Sequence, residues 1–147
     1  MRATLVLAAV LPLAVLLLSG CGRSSFDTES PDGRPLTPLS VAAVLEDGGL
    51  AVEKVPVEFE GLPGLVDSLF LRVAAADDPG ETAEVLVMQF DTESARDEAI
   101  DHELWRPFER PIVHTWTWGP LVIVVEGDRD WGVVTDVDDA LRAAGAR

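Results

Sequence analysis

Residues 83–90, AEVLVMQF, are the stretch that decides the fold. Apolar side chains fill almost every position, and the two valines favour extended backbone. A nearly continuous apolar run of this length predicts a strand that is covered on both faces. We therefore expect this strand at the centre of a sheet, with the other elements arranged around it.

Further strands and helices are predicted on both sides of this central strand. Two strands are expected before it, in residues 50–59 and 68–75, and two after it, in 112–118 and 121–127. Pro56 places the first of them at a sheet edge or makes it irregular. Helices are expected from Thr37-Pro38 to Gly48-Gly49, from Asp91 to about Leu104, and from about 131 to 144, the last with Thr135 as an alternative start.

This succession of elements fits one small α+β domain. The economical architecture is a mostly antiparallel sheet with helices packed on one face. The apolar stripes expected to face the sheet are Leu39, Ala42, Ala43 and Leu45, then Ala95, Ala99, Ile100 and Leu104, then Val133, Val137, Leu141 and Ala144. The chain divides into a signal peptide at 1–20, a polar tether at 21–36 and the globular domain at 37–147.

The first twenty residues have the layout of a secretory signal peptide. A basic start, an apolar run ending at Leu18 and the small pair Ser19-Gly20 follow one another. The run is shorter than the roughly 20 residues that a membrane span needs. Export followed by cleavage is therefore favoured over a permanent transmembrane anchor.

Leu18-Ser19-Gly20-Cys21 resembles the lipobox of bacterial lipoproteins. In that family a diacylglyceryl group is attached to the cysteine, and a peptidase cuts between the residues corresponding to Gly20 and Cys21. The resemblance implies a protein that is anchored in the cell membrane by its lipid and faces the extracytoplasmic side. Two acyl chains suit stable anchoring, because a single chain binds membranes only marginally. The alternative is an ordinary cleaved signal that leaves Cys21 as a free thiol.

The acidic composition of the chain argues against some classes of binding partner. The formal net charge is −15, and loss of Arg2 with the signal peptide would make it one unit more negative. Such a domain is repelled by nucleic acid and by anionic headgroups. Cys21 is the only cysteine, so no disulfide within the chain is expected.

Two stretches of the domain resemble small envelope lipoproteins of high-GC bacteria whose function is uncharacterised. They are VLVMQFDTESARDEAI at 85–100 and HTWTWGPLVIVVEGD at 114–128. The resemblance is one of pattern, a strand that leads into a helix and a tryptophan-bearing strand followed by an apolar one. It implies no activity.

The strongest candidate for a binding surface is the predicted strand at 112–118. Alternation along a strand places His114, Trp116 and Trp118 on one face. Such a row could stack a sugar or aromatic ring or bind a partner protein. The alternative is that both indoles face the helices and belong to the core, as tryptophan usually does.

Catalytic and metal-binding patterns are weak. The two histidines, His102 and His114, lack the paired spacing of zinc sites, and the aspartates at 128–139 lack the spacing of a calcium loop. We find no nucleophile motif and expect neither a cofactor nor a metal.

The sequence therefore predicts a lipid-anchored extracytoplasmic module that binds an envelope protein or a small ligand without catalysis. The alternative is a small envelope enzyme that depends on carboxylates or a cation.

Overall fold

The structure is a computed structural model and describes residues 28–31, 33–57, 59, 61–102 and 111–147. The predictions for the signal peptide, the lipobox and Cys21 concern residues outside this set.

Within the described residues the chain forms three helices and five strands, in the predicted order. They are α1 (Pro38–Asp47), β1 (Leu50–Pro56), β2 (Leu65–Ala75), β3 (Thr82–Phe90), α2 (Glu93–Asp101), β4 (Ile112–Trp118), β5 (Leu121–Glu126) and α3 (Gly132–Ala144). The predicted class, a single small α+β domain, is confirmed.

The five strands form one sheet in the order β1-β2-β3-β5-β4, and every neighbouring pair is antiparallel. The central position predicted for residues 83–90 is confirmed, since β3 pairs with β2 on one side and with β5 on the other. Pro56 closes β1 at one edge, where a missing N–H is tolerated. At the other edge, Thr117 of β4 exchanges two backbone hydrogen bonds of 2.7 and 2.9 Å with Arg147.

Apolar clusters lie on both faces of the sheet. The larger cluster joins α1 and α3 to residues such as Val87 and Ile123. The smaller one joins Ala99 of α2 to Met88 and Val122, which alternate with the first pair along the same strands. The expectation of helices on one face thus holds for α1 and α3, whereas α2 packs on the opposite face.

Local signals explain where the helices begin. Thr37 and Ser40 form a reciprocal capping box at the start of α1, as expected for a threonine before Pro38. Helix α2 is capped by Thr92 rather than by Asp91, because the hydroxyl of Thr92 accepts the Ala95 N–H at 3.2 Å.

Helix α3 begins before the alternative start at Thr135. A distant carboxylate supports its first turn, since Glu81 in the β2–β3 turn accepts the Gly132 N–H at 3.2 Å. The carboxylate also suits the positive end of the helix dipole. The helix ends at Gly145, whose φ of 101° is left-handed.

The buried side of α1 differs from the predicted stripe. Val41, Ala42 and Leu45 are fully buried, whereas Leu39 is 60% exposed. The helix is rotated relative to the prediction, because Val41 rather than Leu39 continues the face of Leu45 at a spacing of four residues.

Part of the predicted tether folds against the domain. Residues 28–31 and 33–36 form a short hairpin, here called the N-terminal hairpin. The Ser30 N–H donates to the Arg34 carbonyl at 2.8 Å, and the Leu36 N–H donates to the Thr28 carbonyl at 2.9 Å. Gly33 supplies the positive φ that the turn requires. Leu36 is buried in the larger cluster, so the folded domain begins before residue 37.

Candidate functional site

A mostly apolar cavity of about 570 Å³ lies between the N-terminal hairpin, α1 and the end of α3, and we call it the hairpin groove. Its lining residues are Ser30, Pro31, Arg34, Pro35, Thr37, Ser40, Ala43, Val44, Asp47, Trp118, Ala143 and Ala144. This size and a lining of apolar side chains with a few polar groups are typical of pockets for small molecules.

Helix α1 forms the long wall of the hairpin groove. Ser40, Ala43, Val44 and Asp47 line it at the spacing that places side chains on one helix face. Ten helical residues extend over about 15 Å, so the groove is elongated. Small alanines on the facing turn of α3 leave room between the two helices.

Trp118 connects this groove to a second cavity. The second cavity measures about 460 Å³ and is also lined by Ser30, Pro31 and Trp118. The N-terminal hairpin and the same indole therefore line both cavities. Trp118 itself is only 7% exposed, so each cavity contacts only a small part of its side chain.

The remaining two residues of the predicted surface form a polar cluster with α3. Asp138 accepts the Trp116 indole N–H at 2.9 Å, and its other oxygen lies 3.1 Å from Nδ1 of His114. The imidazole stacks on the Trp116 indole with centroids 4.3 Å apart, and the Arg142 guanidinium lies 5.5 Å from the indole centroid. This satisfies the buried indole N–H and ties β4 to α3.

The alternation predicted for β4 is thus observed, but the indoles are not exposed. Trp116 is 6% exposed and belongs to the larger apolar cluster together with Trp118. Helix α3 covers this face of β4, which leaves His114 as the one exposed side chain of the three. In this fold the row does not present two open aromatic faces to a ligand, and Trp118 instead lines the hairpin groove.

Most groove residues were not candidates in the sequence. The polar composition of the N-terminal hairpin predicts a tether, because such a segment cannot form a core by itself. The one local signal was the turn pair Pro31 and Gly33. Ala43 was expected to be buried against the sheet, whereas it lines the groove.

In the described part of the chain, no group of three His, Cys, Asp or Glu side chains is placed to hold a metal ion. None of the three described helices has the length and apolar composition that a membrane span requires.

Comparisons of this chain with protein-family models, with curated proteins and with solved structures find no match.

Proposed function

We propose that this protein is a lipid-anchored extracytoplasmic lipoprotein that binds a small apolar ligand in the hairpin groove and does not catalyse a reaction. The observation that carries the binding proposal is the groove itself, which is largely apolar and follows the length of α1. The lipobox resemblance at Leu18-Ser19-Gly20-Cys21 carries the location.

The position of the groove relative to the anchor supports this combination. Thr28 begins the N-terminal hairpin, and Cys21 lies seven residues before it. Seven residues reach at most about 25 Å when fully extended. A protein anchored through Cys21 therefore keeps the hairpin groove near the membrane surface, where apolar molecules concentrate. The negative charge of the domain argues against nucleic acid as the ligand.

The groove is tested with the neutral apolar dye N-phenyl-1-naphthylamine. Residues 22–147 are suitable for the assay, because every member of both apolar clusters lies between Leu36 and Ala146. We expect saturable dye fluorescence, and Ala43→Phe should lower the dye affinity at least tenfold, or about 1.4 kcal/mol. The physical reason is that a benzyl group at position 43 fills the space between α1 and the N-terminal hairpin.

The same substitution at Ala51 provides the matched control. Ala51 is exposed on β1 and lies on the opposite face of the sheet from Val52, which packs with α1. Ala51→Phe should leave dye binding within twofold of the parent protein. Equal dye binding by parent and Ala43→Phe would show that the groove is not the site, provided that circular dichroism shows both proteins folded.

The anchor is tested separately by mass spectrometry of full-length protein expressed in a bacterium. We expect the mature N-terminus at Cys21 with a diacylglyceryl modification, and detergent should be needed to extract the protein from membranes. Cys21→Ala should abolish the modification and its mass increment, because the thiol is the atom that forms the thioether. An unmodified Cys21 thiol in the mature protein would remove the basis for the proposed location.

A further inference from the structure

The lining of the hairpin groove contains one basic residue, Arg34, and one acidic residue, Asp47. Arg34 lines it on the hairpin side, close in sequence to the start of α1, and Asp47 lines it at the last residue of α1. The groove wall from Thr37 to Asp47 follows the length of α1, about 15 Å. Between them the wall is formed by small or apolar side chains such as Ala43 and Val44. This geometry suits a long apolar ligand with one charged end.

Electrostatics at the end of α1 favours a cation. The C-terminal end of a helix carries a partial negative charge and is stabilised by basic residues. Helix α1 has no basic residue in its last turn and instead ends with Glu46 and Asp47. Both carboxylates therefore add negative charge where the helix dipole is already negative.

One of these two carboxylates is already paired within the protein. The Glu46 carboxylate lies 2.5 Å from the ammonium of Lys54, the only lysine in the chain. In the described part of the chain, the Asp47 side chain has no hydrogen-bond or ion-pair partner. Asp47 is therefore the carboxylate that is available to a ligand in the groove.

The net charge of the whole protein also favours a positively charged ligand. A net charge of −15 lowers the local concentration of anions and raises that of cations. An anionic head group beside Arg34 would have to enter against this field. A cationic head group beside Asp47 would enter with it and would also offset the unfavourable charge at the end of α1.

We infer that the ligand of the hairpin groove is an amphiphile with a straight apolar chain and a single cationic head group, bound with the chain along α1 and the head group beside Asp47. This inference rests on the proposed function and adds the chemical class of the ligand and its direction in the groove.

The test compares three probes that share a decyl-length chain and differ in charge. Decyltrimethylammonium, 1-decanol and decanoate, each below its micellar concentration, displace the naphthylamine dye from residues 22–147 at low ionic strength. The cation should displace the dye at a concentration at least about tenfold lower than the anion, with the alcohol between them. Added salt should reduce this difference.

The contribution of Asp47 is isolated by Asp47→Asn. This substitution should weaken binding of the cation about three- to fivefold, as expected for one exposed charge pair, and should change the affinity for 1-decanol by less than twofold. Asp136→Asn is the matched control, because it removes an exposed helical carboxylate on α3 that does not line the groove. Asp136→Asn should change the affinity for the cation and the affinity for 1-decanol by less than twofold each.

Each outcome of this test has a defined meaning. The inference is supported if the cation binds most strongly, if Asp47→Asn weakens this binding, and if Asp136→Asn leaves it unchanged. Equal displacement by all three probes, or an unchanged cation affinity in Asp47→Asn, overturns the inference about the cationic head group. In that case, loss of 1-decanol binding in Ala43→Phe would still support the proposed function. Cation binding that survives Ala43→Phe would locate the cation on the acidic surface and also overturn the inference. Absence of dye binding in the parent protein would contradict the proposed function itself.

Discussion

Replacement of Trp118 by alanine is expected to lower the free energy of unfolding by about 3 to 5 kcal/mol. Trp118 is 7% exposed and packs in the larger apolar cluster between the sheet and the helices. Removal of the indole leaves a cavity that α1 and α3 can close only in part, so the cost exceeds the loss of transfer free energy alone. Urea unfolding followed by far-ultraviolet circular dichroism measures the change without relying on tryptophan fluorescence.

Trp131→Ala is the control for Trp118→Ala. Trp131 is half-buried at the start of α3, where it contacts the same cluster from outside. Trp131→Ala should lower the free energy of unfolding by clearly less, roughly 1 to 2 kcal/mol. A decrease of less than about 1 kcal/mol in the free energy of unfolding of Trp118→Ala would contradict the burial of this indole. It would instead favour an exposed aromatic surface on β4.

This prediction has a practical consequence for functional tests. An alanine at position 118 would weaken the protein as a whole, so loss of ligand binding in that variant would not distinguish a binding residue from a folding residue. Ala43→Phe and Asp47→Asn avoid the problem, because neither residue belongs to a fully buried cluster.

Gly64→Ala is expected to destabilise the protein by about 3 kcal/mol, through two separate causes. Gly64 has a φ of 73°, a conformation that costs other residues of order 1 kcal/mol or more. A methyl group there would lie 2.5 Å from Cβ of Ala95 and 2.6 Å from a carboxylate oxygen of Asp91. Overpacking of this kind adds about 1 to 3 kcal/mol.

Gly61→Ala separates the two causes. Gly61 has a similar φ of 84°, and among the described residues no heavy atom outside its chain neighbours lies within 4 Å of a methyl group at that position. It should therefore show the conformational cost alone, and the difference between the two variants in urea unfolding measures the clash. Equal losses in both variants would show that the contact of the 61–64 turn with α2 is looser than the structure indicates.

The elements of the fold were predictable because their signals are local. The apolar run at 83–90 predicted a central strand, and β3 is central because both of its faces are covered. The Thr37-Pro38 pair predicted the start of α1, where the Thr37 hydroxyl accepts the Ser40 N–H and Pro38 lacks an N–H that would otherwise need a partner. Such signals act within a few residues and need no knowledge of the partner element.

The rotation of α1 and the side on which α2 packs could not be predicted in the same way. Leu39 and Val41 are both apolar, and the choice between them depends on which residues of β1 and α3 lie opposite. Likewise, the stripe of α2 shows that one side is buried but not against which face of the sheet. Only the packed arrangement decides between these alternatives.

The sequence by itself determined the class of the domain, the order of its elements, its acidic character and the lipobox resemblance from which the anchor is inferred. The hairpin groove was decided by tertiary structure alone. Ala143 lies far along the chain from Arg34 and Asp47, and no local pattern indicates that these residues line one cavity. The physical reason is that secondary structure follows from interactions between near neighbours, whereas a groove is the space left when distant segments pack against one another.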